Sequence, residues 1–202
     1  MAITNGYATL AELKSSLTIT DSDDDALLEL AITSTSRMID DFTGRFFYAN
    51  GTVGSPVIRY YTPNDPWTLA VDDYVSISEI ATDDNFNQTW STVWAASDFL
   101  KEPVNNSLRG WPYTRLLATG RYVWPYYLPQ ACKITGVWGW PAVPAEVNQA
   151  CIIQSSRIFV RKQSPFGIAG TPELGTVRLS SRLDPDVQAF LRPINRNNGL
   201  AV

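Results

Sequence analysis

Along this chain the apolar positions change period twice. Leu10, Leu13 and Leu17 fall at i, i+3, i+7, which predicts one face of a short helix over 10–17. Thr9 before it and Glu12 at the third helical position form a capping-box pattern. A longer helical pattern follows over 23–43, with Leu28, Ala31/Ile32, Thr35, Met38/Ile39 and Phe42 on one stripe. Asp21 to Asp25 offer N-caps and negative charge at its start, and Gly44 a C-terminal stop with Arg45 beside it. After Arg45 the period shortens. Pro56–Tyr61, Tyr74–Ile80, Phe99–Glu102, Arg115–Ala118 and Lys133–Trp140 read as strands, separated by turn clusters such as Pro63-Asn64-Asp65-Pro66 and Asn105-Asn106-Ser107. Together they predict a small antiparallel sheet, barrel or sandwich.

Helical spacing returns after Pro141 and Pro144. Pro141 ends the strand, Pro144 suits a helix start, and no Gly or Pro interrupts 145–163. Val147, Ala150/Cys151, Gln154, Ile158 and Arg161 share a row, flanked by Ile153 and Val160. Small residues at 150, 151, 155 and 156 permit close packing on the helix of 23–43. Burying about six of its apolar side chains is worth on the order of 10 kcal/mol before entropy. The segment around Gly167, Gly170 and Gly175 reads as a flexible loop. Asp184 then caps a short helix with Pro185 at its first position, Pro193 stops it, and Asn195 to Val202 read as an arm that orders against a partner. The expected class is α+β: a helical bundle of two N-terminal helices, a long helix near 145–163 and a short C-terminal helix, with an antiparallel β-domain inserted. Residues 1–45 and 144–202 form the helical body with its C-terminal arm, and 46–143 the β-rich insert.

Composition narrows the chemistry. The chain has 202 residues and no His, which excludes Ser-His-Asp and Cys-His catalysis and most zinc sites. Cys132 and Cys151 read as small buried hydrophobes. Asp21, Asp23 and Asp25 invite a calcium loop, but the positions needing Gly and Glu hold Ala26 and Ile32. The late glycines lack the Lys-Ser/Thr of a phosphate loop. The pairs Asp72/Asp73 and Asp83/Asp84 invite acid–base work on a glycoside, but neighbours on a strand point to opposite faces, so neither is a natural dyad and both pairs read as turn or solvent-exposed acids. No catalytic residue, metal or cofactor is assigned. Without an N-terminal basic-plus-apolar signal or a run of about 18 apolar residues, a cytosolic protein with no membrane contact is expected, and the sequons at Asn50, Asn87 and Asn105 read as chance matches.

Charge and aromatics speak to partners. Residues 1–144 hold 9 Lys/Arg against 16 Asp/Glu, and 145–202 hold 7 against 4, so an acidic front is followed by a mildly basic back. That fits stacking between unlike protein surfaces. Trp67, Trp90, Trp94, Trp111 and Trp124 are candidates for a carbohydrate or peptide platform, against the plainer reading of core and subunit contacts.

Several motifs carry a family resemblance. Tyr7-Ala8-Thr9-Leu10, Ile19-Thr20-Asp21, Asp24-Asp25, Leu27-Leu28 and Ile39-Asp40-Asp41-Phe42-Thr43-Gly44-Arg45-Phe46 resemble tailed-phage head–tail connector (adaptor, head completion) proteins. Thr135-Gly136, Trp140-Pro141, Pro144, Arg157-Ile158-Phe159, Pro165-Phe166-Gly167 and Leu183-Asp184-Pro185-Asp186-Val187 are similar to its larger members. The resemblance implies a non-enzymatic virion protein of the phage neck, assembled in the bacterial host cytoplasm. It implies a homo-oligomeric ring, commonly twelvefold, joining the portal protein to a downstream neck or tail protein. Genomic DNA would pass through the lumen without sequence-specific binding, which an acidic conduit suits. It further implies a portal-contact arm, placed here on Asp184, Val187, Phe190, Leu191, Arg192 and Arg196. Trp138, Trp140 and Pro141 are expected to form the joint between the β insert and the helical body. A neck stopper or tail-completion protein and an aromatic-rich carbohydrate-binding module are the alternative readings.

Overall fold

In a computed structural model the chain is α+β, with four α-helices and a seven-stranded antiparallel sheet among the described residues. The structure describes residues 3–120, 122–161 and 183–196, and the backbone of 168–169 and 177–178. Two compact units emerge, one of residues 1–45 with 143–202 and one of 46–142.

In the first unit, α1 (Leu10–Leu17) starts on the expected capping box: Glu12 N–H donates to Thr9 Oγ1 at 3.2 Å, and Thr9 N–H to the Glu12 carboxylate at 2.7 Å. Helix α2 (Asp25–Thr43) ends on Gly44, whose φ of 64° is the left-handed cap. Its N-cap, Asp24, makes no side-chain capping bond, so the acids at its start act through charge and backbone. Helix α3 (Ala145–Val160) packs against α1, α2 and α4 (Pro185–Leu191). The small residues allow the close approach: Ser155 Oγ donates to the Ala31 carbonyl of α2 at 3.5 Å, and Ser36 Oγ lies 3.6 Å from Cys151 Sγ. Ser156 instead meets Ser16 of α1. The buried row of α3 is also wider than its spacing predicts. Phe159 is buried and Ile158 is only half-buried, because Cys151, Ser155 and Phe159 follow the i+4 ridge onto α2.

The second unit is built on β7 (Cys132–Gly139) and the long β3 (Thr68–Thr82). On one side β7 pairs with β1 (Ala49–Asn50) and β2 (Val57–Tyr61), on the other with β3. Strand β3 also pairs with β4 (Thr92–Val93) and β6 (Tyr113–Ala118), which carries β5 (Phe99–Glu102) at the far edge. Register shifts near Ala70–Tyr74, Tyr74–Ser76 and Ile77–Glu79 let one strand serve three partners. The core holds Leu69, Tyr74, Ile80, Leu116, Ile134 and Trp138, with Trp94 and Trp124 stacked at 4.1 Å. Two glycines of β7 are steric necessities. A Cβ on Gly136 would lie 2.4 Å from the Ser76 carbonyl oxygen; one on Gly139, at φ 92°, would lie 2.0 Å from that of Tyr48.

Strand β3 begins six residues earlier than its alternation suggests, and this corrects the reading of Asp72 and Asp73 as turn residues. Both lie on the strand and point opposite ways. Asp72 takes the Arg59 guanidinium at 2.6 Å and the Tyr61 hydroxyl at 2.9 Å; Asp73 is buried and accepts from Trp140 Nε1 at 3.0 Å. Paired acids on a strand are tolerated once each has a donor. The Gly-rich segment lies mostly outside the described residues; within it β8 (Ile168–Ala169) pairs with β9 (Val177–Arg178).

Candidate interaction surfaces

The acids and thiols are absorbed by structure. Asp83 accepts backbone N–H bonds from Asn85, Asn87 and Gln88, at 3.1, 3.3 and 2.7 Å. Desolvation opposes its charge, but those amides, with that of Phe86, hold its carboxyl below the ordinary range. Asp84 accepts from the Thr92 hydroxyl at 2.6 Å, and Asp25 pairs with Lys14 at 2.6 Å. Cys132 and Cys151 are fully buried, and burial pushes both thiols up, away from nucleophilic thiolate. Among the described residues no group of three His, Cys, Asp or Glu could hold a metal ion. Nor is any described helix long and apolar enough to cross a membrane.

One buried polar cluster fastens the N-terminal segment across α2. Tyr7 N–H donates to Ser36 Oγ at 3.0 Å, and the Tyr7 hydroxyl donates to Asp40. Arg37 Nε lies 3.1 Å from the other Asp40 oxygen. Burial raises the Asp40 carboxyl to about 6, against the pull of Tyr7 and Arg37.

Helix α4 shows where the expected portal-contact residues sit. Asp184 caps it, accepting from Asp186 N–H at 2.8 Å, and pairs with Arg157 of α3. Val187 and Leu191 are fully buried, and Ile194 nearly so. Asn195 Nδ2 donates to the Phe42 carbonyl near the end of α2 at 2.8 Å. Residues 183–195 are therefore seated on the helices of their own unit. Phe190, Arg192 and Arg196 remain on the outside. The rest of the expected arm, 197–202, lies outside the described residues.

Trp138 and Trp140 are core residues of the β unit. Trp138 Nε1 donates to the Val57 carbonyl at 2.8 Å, and the Arg59 guanidinium lies 4.8 Å over its ring. Trp140 packs on Phe47 and Trp111, while Pro141 is exposed. The five tryptophans considered as a platform are divided: Trp94 and Trp124 are buried, Trp90 packs on Tyr60, and Trp67 and Trp111 are exposed. They do not form one exposed row.

Two surfaces escape sequence reasoning. In the helical unit, Leu27, Leu30, Ala31 and Ser34 of α2 and Ile158 and Phe159 of α3 line an apolar groove of about 200 Å³. Leu27 and Leu30 are 48% and 47% exposed, although the helical spacing places them just beside the buried stripe. In the β unit, the β3–β4 loop presents Phe86 at its tip, 60% exposed. Phe86 and Gln88 have φ of 54° and 59°, left-handed values held by the Asp83 bonds. No spacing rule signals either feature, because both depend on which neighbour covers a face.

Comparison with known proteins adds two likenesses. Residues 7–89 match the model of a family described as Phage gp6-like head-tail connector protein, which bears out the sequence resemblance over that segment. The fold resembles a chain in a solved structure titled "Neck of empty GTA particle computed with C6 symmetry". The TM-score is 0.57 at 13% identity, and the match covers 96% of this chain and 92% of that one. No curated protein matches.

Proposed function

We propose that the chain is a non-enzymatic structural protein of a phage-type neck, forming a ring that joins the portal to the tail. The family match over residues 7–89 carries this reading, and the shared fold over nearly the whole chain supports it. In this reading residues 1–45 and 144–202 make a helical connector body, and 46–143 an inserted β-domain coupled to it through Trp138, Trp140 and Pro141. Copies associate head to tail, and such a heterologous contact closes into a ring when its rotation divides a full turn. Twelve copies is the expected number. The lumen conducts genomic DNA, and the net charge of −4 disfavours retention of the phosphate backbone. The ring assembles in the host cytoplasm and works at the head–tail interface.

Portal contact is assigned to the outer face of α4, through Phe190, Arg192 and Arg196, followed by the chain beyond. Asp184, Val187 and Leu191 serve this role indirectly by holding that face in place. A pull-down on purified portal tests it, with copy number counted by native mass spectrometry. Phe190→Ala/Arg192→Glu/Arg196→Glu is expected to lose portal capture while still folding, as far-UV dichroism would show. Undiminished capture would remove the assigned face, and no portal binding by the wild-type chain would remove the neck reading.

A further inference from the structure

We infer that the α2–α3 groove receives Phe86 from a second copy of this chain, as a knob-in-groove subunit contact. The inference rests on the ring reading and specifies one of its contacts. Three observations converge. First, the groove is apolar, and at about 200 Å³ it exceeds the ~150 Å³ of a Leu/Ile/Phe-lined cavity that holds benzene. One phenyl ring therefore fits, and Leu27 and Leu30 would lose their exposure on filling it.

Second, Phe86 is built to project. An aromatic residue at φ 54° is strained, and the Asp83 carboxylate stabilises that turn through amides on both sides of it. A ring held outward in advance loses little conformational entropy on docking.

Third, the charges agree on the α3 side. Residues 83–89 carry Asp84 beside the buried, amide-bonded Asp83 and no basic residue; on the α3 side Arg157 is already paired with Asp184, and Arg161 follows it at the end of the helix. Glu29 lies on the α2 side, so the loop acids belong over the α3 wall. Groove and knob are unlike surfaces on one chain, which is what a head-to-tail contact requires.

Disulfide trapping tests the contact, and the buried native cysteines keep the background low. Phe86→Cys and Leu30→Cys proteins, one carrying a mass tag, are mixed and oxidised at about 100 µM, with and without portal. The expected product is the mixed dimer, in excess of both like pairs. A separate Phe86→Ala variant should lower self-association at least tenfold, with Phe86→Leu recovering part of it, and neither should shift the melting temperature. Random pairing or no mixed dimer would overturn the contact. So would a double-cysteine chain that cross-links internally at nanomolar concentration. A ring that forms on the portal without cross-linking sinks this contact and leaves the neck reading standing. Failure to assemble on the portal sinks the neck reading, whether or not the mixed dimer forms.

Discussion

Gly139→Ala isolates how tightly β1 is laid on β7. Gly139 pairs with Ala49, and its φ of 92° already costs an L-residue about 1–2 kcal/mol. The new Cβ would lie 2.0 Å from the Tyr48 carbonyl oxygen and 3.1 Å from its carbon. Real contacts do not approach below about 3 Å, so the Tyr48 peptide must retreat by roughly an ångström. Overpacking of that kind costs about 1–3 kcal/mol, giving a sum near 3 kcal/mol. For a chain of this length that lowers the melting temperature by about 6–12 °C. Two glycines separate the contributions. Gly110 has φ 69° and nothing within 4 Å, so Gly110→Ala should cost only the backbone strain, about 1 kcal/mol. Gly54 has neither problem, and Gly54→Ala should stay within about 0.5 kcal/mol of wild type, or stabilise slightly. All 7 tryptophans lie between residues 67 and 140, so Trp fluorescence in a urea titration reports the β unit, while far-UV dichroism also follows the helices. A Gly139→Ala midpoint equal to that of Gly54→Ala would refute the reasoning.

Asp40 should make the helical unit lose stability as pH rises from about 4 to 6. Its folded carboxyl titrates near 6, above the unfolded value, so the native state keeps a proton that the unfolded chain has released. The loss is on the order of 2 kcal/mol, and comparing urea midpoints with Asp40→Asn across that range should show it vanish in the variant. Neither Cys132 nor Cys151 should react with a thiol reagent in the native protein, and both should react in urea; fast native labelling would contradict their burial. On α4, Leu191→Ala should cost about 2–5 kcal/mol through a cavity, and Asp184→Ala at least the ~1 kcal/mol of its cap. Phe190→Ala, at a side chain 40% exposed, should cost less than Leu191→Ala, on the order of 1 kcal/mol.

Local signals determined the helices because their causes are local. The Thr9–Glu12 box, the Gly44 stop and the Asp184-Pro185 start each act within one turn, and the helices they bound appear where expected. Strands set between turn clusters, such as Phe99–Glu102, were equally legible. Tertiary structure decided the rest. Residues 68–73 joined β3 because Arg59 and Tyr61 of β2 and Trp140 just after β7 supply donors to Asp72 and Asp73, a compensation that no local propensity encodes. The two-residue strands β1 and β4 exist only through their partners β7 and β3. Burial of Val187 and Leu191 against the helices set them apart from Phe190, which periodicity alone ranks as equally apolar. The groove between α2 and α3 and the braced Phe86 tip arise from faces that packing leaves uncovered. Sequence specifies which residues are apolar; only the packed structure decides which of them remain outside, and that remainder is what the chain has to offer a neighbour.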